Sequence, residues 1–133
     1  MDFSLSLLRK NKKHAVCGNA ESIPFKDNTF DVVYSIILLE HVKDPFKVVN
    51  QCRRVLNKNC ILILITPNKG MELLLDASEK LNLKIPEGPH RFLDYKELQN
   101  IATKNDMSIL SSGKIILFPF SKSSSALILT IAG

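Results

Sequence analysis

A chain of 133 residues, 45% of them hydrophobic, is long enough for one domain with a real core. Its longest apolar runs, residues 61–65 and 126–132, fall far short of the roughly 20 residues a membrane helix needs, and no apolar segment of the kind that precedes a signal cleavage site is visible near Met1. The net charge of +5, from 18 basic against 13 acidic residues, is partly concentrated in Arg9, Lys10, Lys12 and Lys13, but no aromatic-basic interleaving accompanies it, so the cluster reads as solvated cations and no nucleic acid partner is expected.

Residues 4–13, with Leu5, Leu7 and Leu8 ahead of the basic cluster, predict a short helix whose last-turn cations complement its dipole. Residues 14–17 predict a brief strand ending at Gly18. Asp27-Asn28 is a turn signal, and residues 30–38 form a nearly unbroken apolar run rich in Val and Ile. That run predicts a strand buried on both faces, with helices above and below it. Asp44-Pro45 supplies an N-cap and a first-turn proline, and Phe46, Val49, Cys52, Val55 and Leu56 follow at helical spacing. Residues 57–59 should end that helix, and residues 60–66 read as a second apolar strand stopped by Pro67.

Residues 71–83 carry the spacing of another helix, broken by the Pro86, Gly88, Pro89 cluster. Asp94 with Glu97 three residues on is a capping-box start for a helix bearing Leu98, Ile101 and Ala102. Residues 107–110 and 126–131 are the last predicted strands, with residues 115–118 a further candidate and residues 121–125 a serine loop. Strands alternating with helices predict an α/β fold, a mostly parallel sheet with an antiparallel last pair. Cys17, Cys52 and Cys60 stand far apart with no CxxC or Cys/His spacing, so neither a disulfide framework nor a metal site is expected, and a reducing cytoplasm is the default setting.

With strand, turn, strand and helix placed, Gly18-Asn19-Ala20-Glu21, Ile23-Pro24-Phe25, Asp27-Asn28-Thr29-Phe30-Asp31-Val32-Val33 and Leu39-Glu40-His41-Val42 before Asp44-Pro45 resemble the class I S-adenosylmethionine-dependent methyltransferases. The branch that includes the ubiquinone and menaquinone biosynthesis enzymes is the most similar. The likeness continues more weakly through Arg54-Val55-Leu56, Thr66-Pro67-Asn68 and His90-Arg91-Phe92 with Glu97-Leu98. It implies a Rossmann-like fold over residues 1–133, a small-molecule methyl acceptor and S-adenosylmethionine as cofactor. Met1-Asp2-Phe3-Ser4 resembles the end of the family's second strand. The family's first strand and Gly-rich loop have no counterpart in this sequence, so the resemblance implies a partial, N-terminally truncated domain that binds cofactor weakly or not at all. An open sheet would then be covered by a second copy or a partner chain. The alternative reading is a non-catalytic binding or regulatory subunit.

The resemblance also assigns roles. Asp2 matches the acid that accepts bonds from both ribose hydroxyls; beside the chain start it could equally bind nothing. Asn19 stands where the family has an Asp facing the adenine amino group, and Ala20 would offer its N–H to a ring nitrogen; Gly18-Asn19 is otherwise a plain turn. Tyr34, Ser35 and Ile36 look like the backbone flanking the methionine moiety, or simply a core strand. Glu40 and His41 are the catalytic candidates, an acid/base pair at a helix entrance, the other reading being that His41 caps or packs there. Glu21 fits capping or solvent exposure better than catalysis, Phe25 and Phe30 anchor the core, and His90-Arg91 is either a substrate-side or a surface pair.

Overall fold

A computed structural model describes residues 15–67, 92–116 and 125–132. Asp2, His90 and Arg91, and the helices expected over residues 4–13 and 71–83, lie outside the described residues. Among the described residues, four strands and two helices follow in chain order: β1 (Phe30–Ile36), α1 (Pro45–Val55), β2 (Leu56–Pro67), α2 (Tyr95–Lys104), β3 (Ser108–Ile116) and β4 (Ser125–Ala132), with one turn of 3₁₀ helix at Leu39–His41. No strand is described over residues 15–18, where Cys17 makes a single bridge.

The sheet order is β1-β2-β4-β3. β1 pairs parallel with β2, while β4 runs antiparallel to both β2 and β3. Three strands therefore point one way and the last is inserted against them, as expected for an α/β sheet closed by a reversed final strand. The right-handed crossover favoured for β1 to β2 is supplied by α1.

Both helices start where their local chemistry says they should. The Asp44 carboxylate accepts from the Lys47 N–H at 3.2 Å, with Pro45 in the first turn. Asp94 accepts from the Glu97 N–H at 2.8 Å and Glu97 returns a bond to the Asp94 N–H at 3.0 Å, a complete capping box. α1 buries Val48, Val49, Cys52 and Val55, α2 buries Leu98 and Ala102, and both stripes join one core with Leu62, Leu64, Leu129 and Ile131 of the sheet. The α1 stripe differs from expectation by one position: Val48 is in the core, whereas Phe46 is exposed.

Three further departures concern the strands. β1 is not buried on both faces: Val33 and Ser35 face the helices, whereas Val32, Tyr34 and Ile36 are exposed, Tyr34 at 63%. Among the described residues both helices lie on one face, so side-chain alternation exposes the other. β2 begins directly at Leu56, and residues 57–59 bulge out of it: Phe30 pairs with Leu56 but Val32 pairs with Ile61. Asn59 has a φ of 61°, the left-handed conformation that Asn tolerates. Finally, residues 108–110 and 115–116 belong to one strand, in which a register shift between Ile109 and Ser111 lets β3 run unbroken to Ile116; residues 117 and 118 lie outside the described residues.

Candidate functional site

The segment from Asn19 to Thr29 lies along α1 and is tied to it at three levels. At the start, the Asn19 Oδ1 accepts from the Glu21 N–H at 2.8 Å and the Asn19 carbonyl from the Ser22 N–H at 3.0 Å, folding a tight Asx-type turn. The Glu21 carboxylate then accepts the Asp44 N–H at 3.2 Å, so Glu21 joins the turn to the helix entrance. Midway, the Ile23 N–H donates to the Gln51 Oε1 at 3.2 Å. At the far end Arg54 donates to the carbonyls of Ile23 and Phe25, both at 2.8 Å, to Gln51, and to the Asp27 carboxylate at 2.6 Å. The Asn28 and Thr29 N–H groups close on the carbonyls of Arg54 and Val55.

These bonds fix where the turn sits. α1 starts beyond the carboxyl end of β1 and returns toward its amino end, so a segment joined to Asp44 at one end and to Arg54 and Val55 at the other must present Asn19 and Ala20 at the carboxyl end. In open α/β sheets that edge is where ligands bind. Gln51 and Arg54 were not singled out as site residues from sequence; the Arg54-Val55-Leu56 run was the available signal.

The same edge carries the remaining candidates. Ser35 is 4% exposed and turned toward α1, while Ile36 faces the opposite side, so what the two share at the edge is backbone. The next residue, Ile37, has a φ of 49°, a strained conformation for a β-branched residue, and its N–H donates to the Ile65 carbonyl at 2.8 Å. That left-handed step turns the chain sharply off β1 into the Leu39–His41 turn. Glu40 is buried at 3% exposure and receives a bond from the Thr66 Oγ1 at 3.3 Å, whereas His41 is exposed. The two candidate catalytic side chains thus occupy very different surroundings, one under the carboxyl end of β2 and one at the surface. Thr66, buried beside Glu40, joins the site from structure; its signal in the sequence was the weakly matching Thr66-Pro67-Asn68 run.

An Asx turn, two parallel strand ends and a buried carboxylate share this edge. Residues 1–64 match the methyltransferase-domain family. Over the whole fold, a SAM-dependent methyltransferase of Thermotoga maritima superposes with a TM-score of 0.72 and 20% identity, covering 96% of this chain and 68% of that one. The chain has the fold of the class I methyltransferases. A ubiquinone biosynthesis O-methyltransferase of Haemophilus ducreyi is 32% identical over 100 residues, 73% of this chain and 39% of that enzyme. An uncharacterised protein of Methanocaldococcus jannaschii is 45% identical over 71 residues, 52% of this chain and 31% of that protein. The chain thus aligns with 31% to 39% of the length of these two curated relatives. Within the class I methyltransferase fold, Asn19 and Ala20 hold the turn before the strand that carries Ser35 and Ile36, and Glu40 and His41 follow that strand.

Proposed function

We propose that this chain serves S-adenosylmethionine-dependent methyl transfer to a small molecule, with residues 1–133 acting as one domain. The observation that carries the reading is the pinned turn: Asn19 and Ala20 are held at the carboxyl edge of β1 by Glu21, Gln51 and Arg54. The donor set there fits an adenine. The Asn19 Oδ1 uses one lone pair on the Glu21 N–H and keeps another for an exocyclic amine, and the Ala20 N–H stands beside it for a ring nitrogen. Asp2 takes the ribose hydroxyls, and the backbone of Ser35 and Ile36 flanks the methionine portion.

When bound, the cofactor supplies an electrophilic methyl carbon; the protein supplies alignment and exclusion of water. His41, exposed at the helix entrance, is the group placed to exchange a proton with the acceptor, while buried Glu40 holds the turn that carries it. A second copy or a partner chain covers the exposed apolar face of β1, and the free thiols of Cys52 and Cys60 support a reducing cytoplasm as the setting.

Calorimetric titration with S-adenosylhomocysteine, beside circular dichroism, tests the reading. The expected result is saturable binding, weaker than micromolar, that is reduced in Asn19→Ala and lost in Ala20→Pro, which removes the N–H. Folded variants that bind like the parent, or a folded parent that does not bind, would overturn it.

A further inference from the structure

A groove of about 490 Å³ lies between α2 and the start of β3. Tyr95, Gln99 and Thr103, four residues apart along α2, share one flank of the helix and form its wall over a length of about 12 Å. Asp106 and Ser108 face them, and Met107 and Ile109 form an apolar floor. β2 and β3 both run antiparallel to β4, and Ser108 and Ile61 both pair with Ala132. The floor of the groove is therefore at the amino edge of the sheet, and β2 and β4 stand between it and β1. It shares no residue with the turn at Asn19 and Ala20, with Ser35 and Ile36, or with Glu40 and His41.

The lining discriminates among ligand classes. Its one charged side chain is that of Asp106 and no cation lines it, so a phosphate or carboxylate would meet repulsion with nothing to offset it. A polycation would meet a single exposed carboxylate in a chain of net charge +5, a weak pairing. A wholly apolar ligand would strip water from five polar side chains and return no bond to them. A neutral ligand rich in hydroxyls satisfies them all. The Thr103 Oγ1 donates to the Gln99 carbonyl at 3.0 Å, which leaves its lone pairs for an incoming hydroxyl. The Gln99 amide both donates and accepts, and the two oxygens of Asp106 suit a pair of adjacent hydroxyls. Asp106 is itself fixed, with a φ of 55° and its N–H donating to the Thr103 carbonyl at 3.1 Å. The Tyr95 ring, 41% exposed, offers an apolar face to the C–H side of a sugar ring.

We propose that the groove between α2 and β3 binds a neutral sugar of disaccharide size, with Tyr95 against the face of one ring and Gln99, Thr103 and Asp106 on its hydroxyls. The site lies on the far side of the sheet from β1 and stands whether or not the proposed methyl transfer does.

The test is a titration of the full chain with maltose, cellobiose, lactose and sucrose, followed through the Thr103, Met107 and Ile109 methyl resonances in NMR. At least one of the four should shift them saturably while the Val33 and Val48 methyls stay in place. For that sugar Asp106→Asn should weaken binding roughly five- to tenfold; the amide keeps the shape and tolerates the left-handed backbone, so the fold is kept. Tyr95→Ala should cause a comparable loss, and Tyr95→Phe, which keeps the ring, should bind within about twofold of the parent. Both positions are exposed, and circular dichroism checks that the variants fold. Four results would each overturn the proposal: no saturable shift with any of the four sugars, parental affinity in folded Asp106→Asn and Tyr95→Ala, tighter saturation by spermidine or inorganic phosphate, which would make charge the recognised feature, or displacement of the sugar by S-adenosylhomocysteine, which would make the groove part of the cofactor site.

Discussion

The guanidinium of Arg54 satisfies two backbone carbonyls, those of Ile23 and Phe25, at the seam between the segment and α1. It also pairs with Asp27, but the Asp27 side chain is 66% exposed. Exposed ion pairs contribute less than about 1 kcal/mol, whereas charge-assisted hydrogen bonds contribute about 1.5 to 3 kcal/mol each. Denaturant unfolding should therefore show Arg54→Ala destabilised by about 2 to 3 kcal/mol and Asp27→Ala by less than about 1 kcal/mol. Equal losses would mean that the ion pair, not the carbonyl contacts, holds the segment. Cys52 gives a second residue-scale outcome. Its folded thiol is raised from 9.0 to about 12 by burial, so the folded state keeps a proton that the unfolded state releases. The stability this confers is complete below pH 9.0 and falls as pH rises from 9.0 toward 12, by up to about 1.4 kcal/mol per unit. Cys52→Ala should flatten that alkaline limb in unfolding curves measured across the range. A limb identical in the variant would assign the pH dependence to other groups.

Among the elements, α2 depends most on its first turn, because it presents only Leu98 and Ala102 as fully buried positions. Asp94→Ala removes one half of a reciprocal pair of bonds and should cost about 1 kcal/mol, read as a lower midpoint in urea; Asp94→Asn, which keeps an acceptor, should recover most of it. The same locality explains why helix starts were legible in the sequence. Asp44-Pro45 and Asp94 with Glu97 act within three residues, so their spacing contains the whole cause. The strands were less legible because their causes lie far off in sequence. The run from Val32 to Ile36 has the composition of a strand covered on both sides, yet its cover is set by where α1 and α2 dock. Likewise the bulge at residues 57–59 appears only once Phe30 and Val32 have chosen Leu56 and Ile61 as partners. In the site, Asn19 and Ala20 were legible through their turn and its family context, whereas Arg54 and Thr66, present only in weakly matching runs, act on partners 26 to 31 residues away that no local pattern names.

At the scale of the whole molecule, the sheet has two unlike faces. One is sealed by both helices. On the other, Val32, Tyr34 and Ile36 of β1 stand beside Ile61, Ile63 and Ile65 of β2 in strict register, with Tyr34 and Ile36 at 63% and 56% exposure. Single exposed apolar residues are ordinary; a paired row on adjacent strands is the kind of patch that marks an interaction surface. β1 is also the outer strand among the described residues, and an apolar outer strand invites association along its backbone as well as across its face. Lysine at Tyr34 and Ile36 would place two cations on this row without touching the core, since both side chains already point away from α1. Sedimentation velocity should then show the parent chain associating as its concentration rises and the Tyr34→Lys, Ile36→Lys variant remaining monomeric, with circular dichroism unchanged. Adding salt separates two causes. If the variant stays monomeric in molar salt, where charge repulsion is screened within about 3 Å, lost apolar contact accounts for the effect. Association restored by salt would show that repulsion alone kept the copies apart, and a parent that is monomeric at every concentration would remove this face as a surface for self-association.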